Sequence, residues 1–278
     1  MEVRAGAEQD PKPTQADIRV TPTVSVIITH HLDSCRPYLD ACLRAVVETA
    51  GIPFEIILVS SSETRPVPAC EVGTHIHDRS LDCGSKKWTA ATAIAHPKSD
   101  FFLFLSDDVM VCTRTLLALV GAASRTRGIV SPFAQAEHTG RFIMEPPRLH
   151  RHGAVPGEHE FLTLTPDMSI DQIEGWHEQV IHRPAGPDIL SVEPWVPFYA
   201  PLIHKSIWER VGGLDPMFES RHNDQDYCSR AAKLGIPSVF CMSAPVLHFG
   251  SRTIRQLYTT QEQNAATIAF YQKQSQGG

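Results

Sequence analysis

Three short runs, "VSVIIT" (Val24–Thr29), "FEIILV" (Phe54–Val59) and "FFLFL" (Phe101–Leu105), are apolar almost from end to end. A strand with one wet face alternates polar and apolar residues. These runs do not, so each must be covered on both faces. That is the requirement of a sheet with helices above and below, and the chain between the runs can meet it. In "SCRPYLDACLRAVVETAG", Leu39, Cys42, Leu43, Val46 and Val47 share one helical face, Ser34 is placed to cap the start and Gly51 to end it. "SKKWTAATAIAH" reads as a second helix from Ser85, and "TRTLLALVGAAS" as a third, capped by Thr113. Strands alternating with helices give an α/β fold of Rossmann-like type: a mostly parallel central sheet flanked by helices.

The rest of the chain fits the same plan less tightly. Residues 1–20 are polar and rich in Pro, Ala and Gln, which predicts a loose tail. Between 131 and 192 the periodicity fades into Pro-, Gly- and His-rich stretches, a variable, loop-rich middle insert with at most a hairpin. Order returns at "WVPFYAPLIH", followed by a helix in "SIWERVGG", where Ser206 and Glu209 match a capping box and Gly212 or Gly213 a stop. "NDQDYCSRAAKLG" is a further helix, "SVFCM" a strand, and the end of the chain a C-terminal helix. No internal repeat is visible, so residues 21–278 read as one domain with parts at 21–130, 131–192, 193–255 and 256–278.

Composition narrows the partners. The formal net charge of −6 disfavours a general nucleic-acid or anionic-membrane binder. No segment has the run of about 18 apolar residues needed to cross a membrane, and the N-terminus lacks the apolar core of a secretory signal. Seven cysteines without a C-x-x-C pair read as reduced thiols, hence a cytoplasmic protein, free or peripheral to a membrane.

In open α/β sheets ligands bind beyond the carboxyl ends of the strands. Thr29, His30 and His31 stand at one such end, Ser60 to Ser62 at a second, and Ser106, Asp107 and Asp108 at a third. Polar residues can simply mark where strands stop, but two adjacent carboxylates repel each other, and a divalent cation would offset that repulsion. "ESRHNDQDYCSR" puts Asn223, Asp224 and Asp226 at a helix start. Capping and the helix dipole favour acids there, while Asp224 could also serve as a general base. "HFGSRT" supplies His248, a candidate metal ligand beside acids, and Arg252, a candidate for phosphate charge. Lys86 and Lys87 open the second helix and could also neutralise phosphate charge, although a solvated helix face is the default reading. His75 with His77 and His150 with His152 lack matching ligands nearby, and no P-loop, G-x-S-x-G or G-x-G-x-x-G occurs. Trp176, Trp195, Phe198 and Tyr199 could stack on a sugar ring or pack in the core.

Four segments in order, "VSVIITHH", "FEIILVSSSE", "SDFFLFLSDDVMV" and "WVPFYAPLIHKSIWERVGGLDPMFESRHNDQDYCSRAAKLG", resemble the family 2 glycosyltransferases, nucleotide-sugar-dependent enzymes of the GT-A fold. The resemblance implies a hexosyltransferase-like, inverting transfer from a nucleotide-sugar donor to a glycan, lipid-linked or other hydroxyl acceptor. It places Mn²⁺ or Mg²⁺ on Asp108, the last acid of a D-x-D-like motif, with His248 completing the site. Asp224 falls on the catalytic base, and Thr29, His30 and Ser60 in the nucleotide pocket, with Ser106, Asp107 and Arg252 beside the donor. The chain departs from the family pattern at Ser60 and Ser106, where acids or amides are common, at Asn223, and near Ala91, where an Asn is usual. Those departures keep two alternatives open: a nucleotide- or glycan-binding GT-A domain without catalysis, and a metal-dependent nucleotidyltransferase.

Overall fold

The structure is a computed structural model that describes residues 23–68, 70–138, 141–145, 165–174, 190–218, 221–249 and 254–276. The tail, most of the middle insert, Arg252, Glu219, Trp176, His150 and His152 lie outside the described residues.

The three apolar runs are neighbouring parallel strands. β1 (Thr23–His30) lies between β2 (Phe54–Ser60) and β4 (Ser99–Ser106), and β3 (Thr74–His77) extends the sheet beyond β2. Alternation along each strand splits the core into two layers. Val24, Val26 and Ile28 of β1 with Phe101, Leu103 and Leu105 of β4 pack on one face, together with Leu39, Leu43 and Val46 of α1 (Arg36–Thr49) and Leu116 and Leu119 of α3 (Thr115–Thr126). Ile27, Phe102 and Phe104 point to the other face, against Trp88 of α2 (Gly84–Ile94). The Trp88 ring stacks on Phe104 at 4.0 Å between centroids, which fixes α2 over β4. Both faces are covered, as wholly apolar strands require.

Beyond β4 the sheet becomes mixed, in the order β3-β2-β1-β4-β9-β6-β10-β5. β9 (Leu202–His204) is antiparallel to β4 and β6, while β6 (Ile129–His138) runs parallel to the long β10 (Ser238–His248). β5 (Val109–Val111) and β8 (Leu190–Glu193) pair antiparallel with β10, and β7 (Arg141–Glu145) with β6. The start of the segment read as loop-rich is therefore a strand of the main sheet, paired with a hairpin partner. Pro132 disguises it: it sits opposite Cys241, where the β10 register jumps to Pro245, a place that can spare a backbone donor.

The remaining helices are α4 (residues 170–174), α5 (Lys205–Val211), α6 (Asn223–Lys233), α7 (Ile254–Leu257) and α8 (Thr260–Gln276). Helix starts are where local reading fails. Ser34 does not cap α1: a 3₁₀ turn, Asp33–Cys35, precedes it, and Ser34 Oγ donates to Gln256 Oε1 at 2.9 Å. Thr113 does not cap α3, which starts from Arg114 at φ 68°. At α5 the cap is His204, whose side chain accepts from the Ser206 N–H, in place of Ser206 itself. Val47, expected on the buried face of α1, is 47% exposed. The stops at Gly51, Gly212 and Gly235 hold, each at positive φ, where glycine is free of Cβ strain.

Candidate active site

The parallel register lines up the predicted donor-site residues. His30 is the neighbour of Ser60 across β1 and β2, and Thr29 the neighbour of Ser106 across β1 and β4. Four residues from three strand ends thus gather at the carboxyl edge as two pairs, one step apart along the strands and on opposite faces of the sheet. Ser60 is fully buried, its Oγ 2.7 Å from Ser62 Oγ, and Ser62 Oγ in turn donates to Thr64 O. The loops after β1 and β2 are stitched together by Asp33, whose carboxylate accepts from Thr64 Oγ1 at 2.8 Å and from the Thr64 N–H. His77 Nε2 donates to Ser62 O at 3.0 Å, tying β3 to the same loop.

Asp107 and Asp108 do not continue β4. They form a turn between β4 and β5, and both are buried. Each takes a different histidine. His30 Nδ1 lies 2.6 Å from Asp107 Oδ2, and His248 Nε2 lies 3.4 Å from Asp108 Oδ1. The second pairing follows from topology: β5 runs antiparallel to the end of β10 with Val109 opposite His248, and the Phe249 N–H donates to the Asp108 carbonyl at 2.9 Å. Tyr199 stacks on the His248 ring at 5.1 Å and donates from its hydroxyl to Pro132 O, so its place is structural. Burial raises the Asp107 pKa, and Asp108 adds to the rise, while the hydrogen bond from His30 opposes it.

Lys87 was expected on a solvated helix face; it is instead fully buried, under the site. Its Nζ lies 2.7 Å from His31 Nδ1 and 2.7 Å from Ser61 Oγ. Burial holds its pKa down to about 7, although Asp107, Cys83 and Asp82 pull upward. Lys86, one residue away, is the solvated one, paired with Asp82 at 2.6 Å. Nothing in the helical periodicity of "SKKWTAAT" separates the two lysines. The only local signal is that Lys87 precedes the core residue Trp88.

Next to this network lies a cavity of about 430 Å³, lined by His31, Asp33, Ser61, Glu63, Arg79 and Asp82 among others. It opens beyond the ends of β1 and β2 and before the start of α2. That volume falls within the range of small-ligand pockets.

Asp224 belongs to another element. It stands half-buried in the first turn of α6, where its Oδ1 accepts from the Gln225 N–H at 2.8 Å. That turn is fastened to α8: His222, at φ 67°, bonds Gln225 Oε1 and Thr267 Oγ1 and stacks on Phe270 at 4.7 Å. Asp226, buried, bonds Arg230 at 2.8 Å and Lys273 at 2.6 Å, and Lys273 also reaches Asp215 at 2.7 Å. The structure thus brings Thr29, His30, Ser60, Ser106, Asp107, Asp108 and His248 to one edge, while Asp224 stands apart from them in the first turn of α6. Of the aromatic residues, Phe198 and Tyr199 are core, and Trp195 is 40% exposed. Among the described residues no helix is long and apolar enough to cross a membrane.

No known family profile and no curated protein sequence matches the chain. Among solved structures it is similar to GalNAc-T7 crystallised with UDP, GalNAc and Mn²⁺, at a TM-score of 0.57 and 10% identity over 90% of this chain and 48% of that one. It is also similar to TarS of S. aureus, at a TM-score of 0.49 and 13% identity over 84% and 38%. Both are GT-A glycosyltransferases, and the first likeness gives this chain a GT-A fold. The chain spans about half the length of GalNAc-T7.

Proposed function

We propose that this chain is a metal-dependent glycosyltransferase that moves a sugar from a nucleotide-sugar donor to an acceptor hydroxyl, with inversion at the anomeric carbon. One observation carries the reading. Two adjacent buried carboxylates at the carboxyl edge of a GT-A sheet are matched to different histidines, and a cavity of about 430 Å³, lined by His31 and Ser61, opens at the same edge.

Asp108 and His248 would hold Mn²⁺ or Mg²⁺. A carboxylate oxygen and an imidazole nitrogen 3.4 Å apart suit neighbouring positions of one coordination sphere. Among the described residues no group of three His, Cys, Asp or Glu gathers round one point. Two protein ligands suit an ion that takes its remaining ligands from a diphosphate and water, as such cations do in phosphate sites. When bound, the ion supplies Lewis-acid stabilisation of the charge that builds on the leaving diphosphate. The presence of both UDP and Mn²⁺ in the GalNAc-T7 structure supports the same expectation here.

The chain's own residues do the rest. Thr29 and Ser106 would face the nucleotide, His30 and Ser60, both buried, would support the nucleotide pocket from behind, His30 through its contact with Asp107, and Arg252 would offset phosphate charge. Asp224 takes the proton of the acceptor hydroxyl as that oxygen attacks the anomeric carbon. The bond from this carbon to the diphosphate oxygen breaks, and the nucleoside diphosphate leaves with the electron pair. A positioned base of this kind is worth about 10²–10⁴-fold in rate. The acceptor class is a glycan, a lipid-linked glycan or another hydroxyl compound.

A thermal-shift screen of UDP-, GDP-, dTDP- and CMP-sugars with and without Mn²⁺ identifies the donor, and NMR of the product gives its anomeric configuration. Stabilisation by one class of donor and an inverted product are expected. Asp224→Asn should abolish transfer and spare nucleotide binding, and Asp108→Ala should remove the gain from Mn²⁺. Full transfer by Asp224→Asn refutes the base, and a retained configuration refutes inversion. Release of pyrophosphate points to a nucleotidyltransferase. If no nucleotide sugar stabilises the protein, the glycosyltransferase reading fails.

A further inference from the structure

We propose that Lys87 is a positioning residue for donor binding. It holds the Ser61 hydroxyl as a hydrogen-bond donor on the cavity wall and His31 as a neutral, immobile ring, so that the site selects a nucleoside offering an oxygen acceptor there. This rests on the glycosyltransferase reading above.

Three observations lead to it. A fully buried lysine is rare, and one without a carboxylate in direct contact is costly, so it calls for a reason. Its nearest partners, at 2.7 Å each, are two residues that line the 430 Å³ cavity, while Lys87 itself stays behind them. An ammonium group only donates, so both partners must accept.

The consequences are specific. Ser61 Oγ spends a lone pair on Lys87, which leaves its single proton for an acceptor across the cavity. Lys87 Nζ lies 2.7 Å from His31 Nδ1 and 3.3 Å from Nε2; the shorter contact makes Nδ1 the acceptor and assigns the ring proton to Nε2, and the ring hydrogen-bonds the Asp82 backbone. Burial, and then the Lys87 charge, keep the His31 pKa well below its usual value, so the ring stays neutral.

The groups facing Lys87 come from every side: His30 and His31 from the end of β1, Ser61 from the loop after β2, Asp107 from the turn after β4, and Asp82 and Cys83 from the loop before α2. None is a carboxylate in hydrogen-bonding contact, and burial therefore outweighs the attraction of Asp107 and Asp82. The Lys87 charge, and with it the orientation of Ser61, weakens as pH rises through about 7.

The test has an arm that needs no ligand. ¹⁵N-histidine NMR of the intact protein should show His31 as a neutral ring protonated at Nε2, and Lys87→Met should release it to a mixture of tautomers. A cationic His31, or one protonated at Nδ1 in the wild type, overturns the proposal. The second arm measures UDP and GDP affinity, each with Mn²⁺, at pH 6.5 and 8.5.

Lys87→Met should weaken the preferred nucleotide about tenfold at pH 6.5 and only about two- to threefold at pH 8.5 relative to wild type. Lys87→Arg, which cannot lose its proton in this range, should hold a constant ratio to Lys87→Met. Ser61→Ala should match Lys87→Met, and the double variant should lose no more than either, the mark of one shared interaction. Equal affinity in wild type and variants, or independent losses in the double variant, overturns this proposal alone. No binding of either nucleotide by any form, the wild type included, overturns the donor reading and this one with it.

Discussion

Lys87→Met should make the protein more stable near neutral pH, and the gain should shrink as pH rises. The folded protein holds Lys87 with a pKa of about 7, whereas an exposed lysine titrates near 10.5. Between those values the unfolded chain binds the proton and the folded chain does not. Stability of the wild type therefore rises with pH across this window and falls as pH drops towards 7. From pH 9 to 7 the change is about 2 kcal/mol, at ~1.4 kcal/mol per unit less the half-protonation of the folded state at pH 7. Methionine is close to lysine in length and carries no charge, so its variant lacks this term. Urea unfolding of wild type and Lys87→Met at pH 7, 8 and 9 isolates it, because the other titrating groups are common to both. The variant's advantage should be about 2 kcal/mol larger at pH 7 than at pH 9. A constant difference would show that Lys87 titrates like a solvated lysine. A difference of opposite sign would mean that Asp107 and Asp82 hold the proton on.

Lys273→Ala should cost about 1–2 kcal/mol, since Asp226 keeps Arg230 and the lysine is partly exposed; amide exchange in α6 and α8 should rise, and unchanged exchange would mean the helices are held otherwise. Asp215 feels burial first, which raises its pKa, yet the Lys273 hydrogen bond and neighbouring charges leave it lowered overall. That pair's contribution is thus present above the ordinary carboxylate range and lost as pH falls through the lowered value, and acid unfolding of Lys273→Ala should show a shallower slope there. Gly128→Ala would put a Cβ 2.6 Å from Pro237 O, the carbonyl that accepts the Ile129 N–H, and should destabilise by about 1–3 kcal/mol in urea unfolding. Trp88→Ala removes a ring stacked on Phe104 and should cost about 3–5 kcal/mol, with lost near-ultraviolet dichroism; a smaller loss would mean α2 is held mainly by other contacts.

The strands and the edge they build were legible because burial on two faces leaves a mark in every residue of a run: Val24 to Ile28 and Phe101 to Leu105 read as strands without any knowledge of their neighbours. The pairing of Asp108 with His248 was legible only as a guess at proximity, since 140 residues separate them and the β5–β10 register brings them together. Lys87 was legible only as one of two lysines that could meet phosphate charge, and its burial was not legible at all. Its burial depends on three strand ends converging over the first turn of α2, which no window of local sequence contains. The caps failed for a related reason. Ser34, Thr113 and Ser206 each match a local rule, but Ser34 is taken by Gln256 and Ser206 gives its N–H to His204. At α3, Thr115 accepts from Cys112 and donates to Pro245 O, while the Thr113 N–H goes to Glu174. A capping residue chooses among partners that only the fold supplies.

The two serines that break the family resemblance take on a different weight once Lys87 is known to be buried. The edge at the strand ends already carries two buried carboxylates, Asp107 and Asp108, and one buried lysine that balances them only in part. A third carboxylate at Ser60, a position with no exposed surface, would have to be matched by another cation or held protonated. Ser60 instead closes its hydrogen bonds with Ser62 and adds no charge. Ser106 lies beside Thr29 at the same edge, immediately before the two acids, where an added carboxylate would make three consecutive acidic residues. Serine at both places is therefore what the local charge balance favours when the cationic group under the pocket is a half-titrated lysine. The departures from the family pattern and the buried lysine are then parts of one electrostatic arrangement, and serines where the resembled family has acids or amides are compatible with a ligand site.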